Sequence, residues 1–100
     1  MWSFRGTISG EVLSQQKNLP MLIENFTLVN KAGITVGVNV YLIDGETSDA
    51  VCIAPYGGTL IYGGIYIDDT NRMLNENDQI KLVTTGSVDY DFEINNLPIP

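Results

Sequence analysis

The sequence predicts an all-β protein: an antiparallel β-sandwich, Ig-like or jelly-roll-like, of about seven or eight strands. Three observations predict it. Apolar residues recur at every second position through much of the chain, the period of a half-buried strand. Gly-, Pro-, Asn- and Asp-containing breaks interrupt these runs at spacings of roughly 8–12 residues. No stretch carries a convincing helical period.

The organising stretch is Gly33-Ile-Thr-Val-Gly-Val-Asn-Val-Tyr-Leu-Ile-Asp44. Ile34, Val36, Val38, Val40 and Leu42 fall on one parity, and Thr35, Gly37, Asn39, Tyr41 and Ile43 on the other. A strand therefore gathers five aliphatic groups on one face. Upstream, Trp2, Phe4 and Ile8 alternate with Ser3, Arg5 and Thr7, giving a first strand closed by Ser9-Gly10. Glu11 to Leu19 is polar and reads as a loop or a short helical turn, and Pro20 keeps Leu19 out of a helix. Met21 to Asn30 reads as a second strand, with Leu22, Phe26 and Leu28 on one face and Ile23 and Val29 on the other. Lys31-Ala32-Gly33 suits a hairpin turn, which makes this strand the antiparallel neighbour of the long one.

Downstream, Asp44 to Asp49 is a polar turn, Ala50 to Ala54 a short strand, and Pro55-Tyr56-Gly57-Gly58 a break. Thr59 to Ile67 contains Gly63-Gly64, which suggests a bend dividing two short strands. Asp68 to Asn77 is a polar connection carrying Met73 and Leu74. Asp78 to Thr85 is a strand with Ile80 and Leu82 inward, and Gly86-Ser87 has the form of a tight hairpin turn. In the last strand Val88, Tyr90, Phe92 and Ile94 face in, while Asp89, Asp91 and Glu93 face out and discourage edge pairing. Residues 95–100 read as an extended tail in which Pro98 and Pro100 resist ladder formation. The chain forms one domain, 1–100, with an N-terminal strand and loop over 1–20.

Twelve acidic residues against five basic ones give a net charge of −7, which repels phosphate backbones and makes nucleic acid a poor partner. The chain has no histidine and one cysteine. That removes the commonest general base and zinc ligand, and it precludes an internal disulfide. Cys52, between Val51 and Ile53, reads as a small core residue. No apolar run approaches the ~20 residues of a membrane span. No secretory signal opens the chain, so a soluble protein made in a cytoplasm is expected.

Each chemical candidate has an ordinary explanation beside it. Asp68-Asp69-Thr70-Asn71 and Asn75-Glu76-Asn77-Asp78 form the densest oxygen cluster, but they lack the order of a calcium loop. An ordinary connection is preferred, and no cofactor is expected. Asp89, Asp91 and Glu93 lie at spacings of roughly 7 Å, as paired glycosidase acids do, and equally as any solvated strand face does. Asn25-Phe26-Thr27 matches a glycosylation pattern by chance. Tyr41, Tyr56, Tyr62 and Tyr66 suit either a sugar- or protein-contact patch or packing under the chain's own loops.

From Ile23 onward, Phe26-Thr-Leu-Val-Asn30 and then Val38-Asn-Val-Tyr-Leu-Ile43 resemble small β-sandwich structural proteins of tailed bacteriophage virions. Leu74, Asp78 and Ile80 fill a Leu…Asp-x-Ile pattern of that family. Asn77 stands where the family has Gly, and Asn also tolerates the left-handed conformation. The N-terminal part departs from the pattern. The resemblance implies a non-enzymatic structural component of the virion, a capsid decoration or a neck or tail accessory protein. It would act in several copies and bind other virion proteins, as a homo-oligomer, with no nucleic acid or membrane partner. Trp2, Phe4, Tyr41, Ile43, Leu97 and Ile99 are the expected contact residues, being apolar groups at termini or on an outward face. The alternative is a carbohydrate- or host-receptor-binding sandwich, with Tyr56, Tyr62 and Tyr66 near Asp68 and Asp69.

Overall fold

The computed structural model describes residues 2–54 and 58–96. Among the described residues ten strands appear: β1 (Trp2–Ile8), β2 (Glu11–Leu13), β3 (Met21–Asn30), β4 (Val36–Ile43), β5 (Ala50–Ala54), β6 (Thr59–Leu60), β7 (Ile65–Asp68), β8 (Arg72–Leu74), β9 (Gln79–Thr84) and β10 (Val88–Asn96). They form two antiparallel sheets. One runs β1-β10-β3-β7, with β8 also on β3; the other runs β2-β9-β4-β5, with β6 also on β4. The two sheets pack face to face as a β-sandwich. Along the chain, β1 to β2, β2 to β3, β3 to β4, β6 to β7, β8 to β9 and β9 to β10 each cross from one sheet to the other. That alternation is the winding of a jelly roll, and the ten segments fill its eight positions because β5/β6 and β7/β8 each share one.

Two connections with hairpin sequences are therefore arches. β3 and β4 are not neighbours, nor are β9 and β10. The cause lies in the arches' mutual packing. Lys31 N donates to Ser87 O at 2.9 Å, and a Cβ on Gly86 would lie 2.6 Å from Val36 Cγ1 and 3.1 Å from Ala32 Cβ. The two turns stack on each other at one end of the sandwich and leave Gly86 no room for a side chain. Ile34, expected in the long strand's inner face, sits in the first arch and is exposed; β4 starts only at Val36.

The expected faces of β3 also change. Asn25 pairs with Glu93 but Ile23 with Ile94, so Glu24 is an extra residue that reverses the alternation. Met21 and Ile23 consequently share the core face with Phe26 and Leu28, and Leu22 turns outward. Glu11–Leu13, expected in a loop, pairs with β9, and Arg72–Leu74 pairs with β3. Asn95 and Asn96 are paired with Leu22 and Met21, so the expected tail is still strand there. β10 is a central strand rather than an edge. Cys52 is exposed, because β5 is an edge strand and Cys52 lies opposite Tyr41 on its outer face, while Ile53 packs against the core.

The core is built by the alternations that the sequence shows most clearly. Val36, Val38 and Val40 of β4 and Ile80 and Leu82 of β9 meet Phe26, Leu28, Val88, Phe92 and Ile94 from the opposite sheet. Phe26 and Phe92 stack with centroids 4.7 Å apart, and Phe4 packs on Phe92 at 5.4 Å and on Tyr90 at 4.9 Å. Each such buried side chain contributes about 1.5–3 kcal/mol.

Candidate functional site

The outer face of the β1-β10-β3-β7 sheet changes character from one side to the other. On β10, Asp89, Asp91 and Glu93 carry partners: Thr7 and Lys31 for Asp89, Arg5 for Asp91 and Asn25 for Glu93. These carboxylates are occupied with cross-strand polar neighbours, which is how a solvated sheet face is held. One strand further, β3 presents Leu22, Thr27 and Val29. At the edge, Met73 lies opposite Leu22, Ile67 opposite Thr27 and Ile65 opposite Val29. Ile65 and Ile67 are 62% and 67% exposed and Met73 49%. An apolar stripe thus follows the edge formed by β7 and β8, while Tyr66 and Asp68 point to the core side.

Asn30, buried at the end of β3, fixes the corner beyond the stripe. Its Nδ2 donates to the carbonyls of Ile34 (2.7 Å), Leu60 (3.0 Å) and Ile61 (2.9 Å), and its Oδ1 accepts from Ala32 N (2.7 Å). Its own backbone N donates to Gly64 O at 3.0 Å. One carboxamide therefore joins the first arch to the turn before β7. It fixes the backbone at Ile34 and Ile61, whose side chains, like that of Tyr62, are about two-thirds exposed. Gly63 turns that corner with φ 67°.

Asp68 anchors the other end of β7. Its Oδ1 accepts from Thr70 Oγ1 (2.7 Å) and Thr70 N (3.1 Å), and its Oδ2 from Arg72 Nη2 (3.2 Å). Burial pushes the carboxyl up, but the Thr70 hydroxyl, the Thr70 amide and the Arg72 guanidinium outweigh it and the net shift is down. Burial, and next the Asp68 carboxylate, push the Tyr66 phenol up.

An open cleft of about 400 Å³ lies between the 44–46 and 75–78 turns, lined by Asp44, Glu46, Asn75, Glu76, Asn77 and Asp78. Two of its four acids, Asp44 and Asp78, serve the backbone. Asp78 accepts from Gly45 N (2.8 Å) and Asn75 N (3.0 Å), and Asp44 accepts from Glu46 N (2.7 Å) and Thr47 N (3.0 Å). Asn77 adopts φ 66°, in the left-handed region that Asn tolerates. Gly45 is required here, because a Cβ would come within 2.6 Å of the Asn77 backbone. The expected oxygen cluster is thus divided: Asp68 opposes Phe26 on β3, while Asp78 braces Gly45. Among the described residues no three Asp, Glu, Cys or His side chains gather to hold a metal ion.

The expected contact residues are scattered. Phe4 is a core residue and is unavailable as a surface contact, because β1 directs it onto Tyr90 and Phe92. Tyr41 and Ile43 lie half-buried on the outer face of the other sheet, between Lys81 and Gln79 of β9 and Cys52 and Ala50 of β5. Trp2 starts β1 opposite Ile94; its side chain, and all of Tyr56, Leu97 and Ile99, lie outside the described residues. Tyr62 is exposed at the corner, whereas Tyr66 packs on Phe26 at 5.9 Å, so the two do not form one stacking platform. Sequence reasoning missed Ile65, Ile67 and Met73. The one available signal was the uncharged Ile-Tyr-Ile run between Gly63-Gly64 and Asp68-Asp69, which marks a short strand without saying which face is covered.

No protein-family model matches the chain, and no curated protein matches it either.

Proposed function

We propose that this chain is a non-enzymatic structural component of a tailed-phage virion, a capsid decoration or neck or tail accessory protein working through protein–protein contacts in several copies. The observation that carries the contact role is the apolar stripe of Ile65, Ile67 and Met73, continued by Ile34, Ile61 and Tyr62 at the corner. These groups add nothing to the core, and contiguous apolar surface on a small domain marks an interaction site. The phage assignment is supported by the resemblance of Phe26–Asn30, Val38–Ile43 and Leu74…Asp78-x-Ile80. Jelly rolls also recur in viral capsids, an analogy of fold that bears on function only as analogy.

The test is incorporation into particles. Virions of the encoding phage, purified by density gradient, are expected to carry the protein at a fixed copy number by quantitative mass spectrometry. The Ile67→Lys/Met73→Lys variant, checked for an unchanged thermal transition, should be incorporated about tenfold less, the effect of losing one modest interface anchor. Particles devoid of the protein, or undiminished incorporation of the variant, would reject the proposal.

A further inference from the structure

We propose that the open edge of β7 is a self-pairing surface, on which a second copy of this chain adds its own β7 antiparallel with Ile65 opposite Ile67 of the other copy. This rests on the reading of the β7–β8 stripe as a contact surface, and it names the partner.

The backbone sets the register. Asn30 N donates to Gly64 O, so Asn30–Gly64 is a hydrogen-bonded pair of the β3–β7 ladder. Such pairs alternate in an antiparallel ladder, so Leu28–Tyr66 and Phe26–Asp68 are hydrogen-bonded and Val29–Ile65 and Thr27–Ile67 are not. The N–H and C=O groups of Ile65 and Ile67 therefore point away from β3. Among the described residues nothing pairs with that side of β7, the last strand of its sheet. Placing Ile65 against Ile67 of a two-fold-related copy satisfies all of these groups with four hydrogen bonds. Tyr66 then faces its own counterpart across the axis.

The side chains agree with that register. Opposite residues share a face, so the two isoleucines pair twice on the outer face and extend the stripe across both copies. Asp68 falls opposite Gly64 and Asp69 opposite Gly63, so no carboxylate meets another, which matters in a chain of net charge −7. The other edges are blunted. β1 carries the Arg5–Asp91 ion pair, β2 has three residues and β6 two, and the ladder of β5 is broken by a register shift between Val40 and Tyr41. β7 carries neither a charge at 65–67 nor a bulge.

The test uses the whole chain in solution, without particles, so its outcome is separate from that of the incorporation assay. Sedimentation across a concentration series should show a species of twice 11.0 kDa, favoured by added salt as like-charge repulsion is screened. The amides of Ile65 and Ile67 should gain hydrogen-exchange protection as the dimer forms. Ile67→Pro removes an N–H that the fold itself does not use, a substitution that edge strands accept. It should keep the thermal transition and leave a monomer. Ile67→Lys should do the same if Pro disturbs β7. A monomer at all concentrations overturns the proposal, as does a dimer whose Ile65 and Ile67 amides exchange freely or one that survives both variants.

Discussion

Replacing Asn30 tests how the apolar corner is held. The Asn30→Ala variant loses two N–H donors, which the carbonyls of Ile34, Leu60 and Ile61 share, and the oxygen that accepts from Ala32 N. The bond to Leu60 O is buried; the other three are partly buried and water replaces them in part. Loss at the buried carbonyl costs about 1–3 kcal/mol and each of the others about 0.5 kcal/mol, or about 3 kcal/mol together. For a domain of this size that lowers Tm by roughly 12–18 °C. Asn30→Asp separates hydrogen bonding from volume. It keeps an acceptor for Ala32 but sets a carboxylate against three carbonyl oxygens. The folded state then disfavours the charged form and raises that carboxyl's pKa. The penalty is full at neutral pH and declines as pH falls through the raised value, so Asn30→Asp should approach Asn30→Ala in acid. Calorimetry of both variants between pH 3 and 7 measures this. A loss under about 1 kcal/mol for Asn30→Ala, or a gap between the variants that does not change with pH, would refute the clamp.

Two further outcomes follow from the same structure. Asp68 has its folded pKa held below the ordinary 3.8, so the unfolded chain takes up its proton first as pH falls. Its stabilisation is present above that value and lost below it. Thermal melts should show Asp68→Asn about 2 kcal/mol less stable at pH 7, with the difference from wild type closing below about pH 4. Phe92→Ala should cost about 3–5 kcal/mol by urea unfolding, since it empties the stack between Phe4 and Phe26; a cost under about 1 kcal/mol would contradict that burial.

The strands were legible where one face is continuous. Val36–Val40, Ile80–Leu82 and Val88–Ile94 keep one parity, and each lies against the core as its alternation requires. Legibility failed where a distant partner decides. Lys31-Ala32-Gly33 and Gly86-Ser87 have hairpin chemistry locally, yet each becomes an arch because the turns pack on each other and Asn30 bonds to carbonyls 30 and 31 residues away. Glu24 carries no mark of the bulge it forms; only its position opposite the Glu93–Ile94 step makes it the extra residue. The apolar stripe was hidden for the same reason. Ile65-Tyr66-Ile67 is apolar on both faces, and which face is wet depends on β7 standing at the sheet edge.

The place of β9 and β10 orders events at the ribosome. Among the described residues β1 pairs only with β10, and β2 only with β9, so these two early strands have no sheet partner until β9 and β10 have emerged. Arg5 meets Asp91 across 86 residues of sequence. Neither sheet is complete before then, and β1, with Phe4 on it, stays unpaired until β10 has been made, whereas Ile65–Ile67 can pair with the earlier β3 as it emerges. Non-local pairing of this kind is slow and leaves strands open to association with other chains. The surplus of carboxylates then has a second use: it keeps neighbouring nascent chains apart during the interval in which the fold cannot yet protect them.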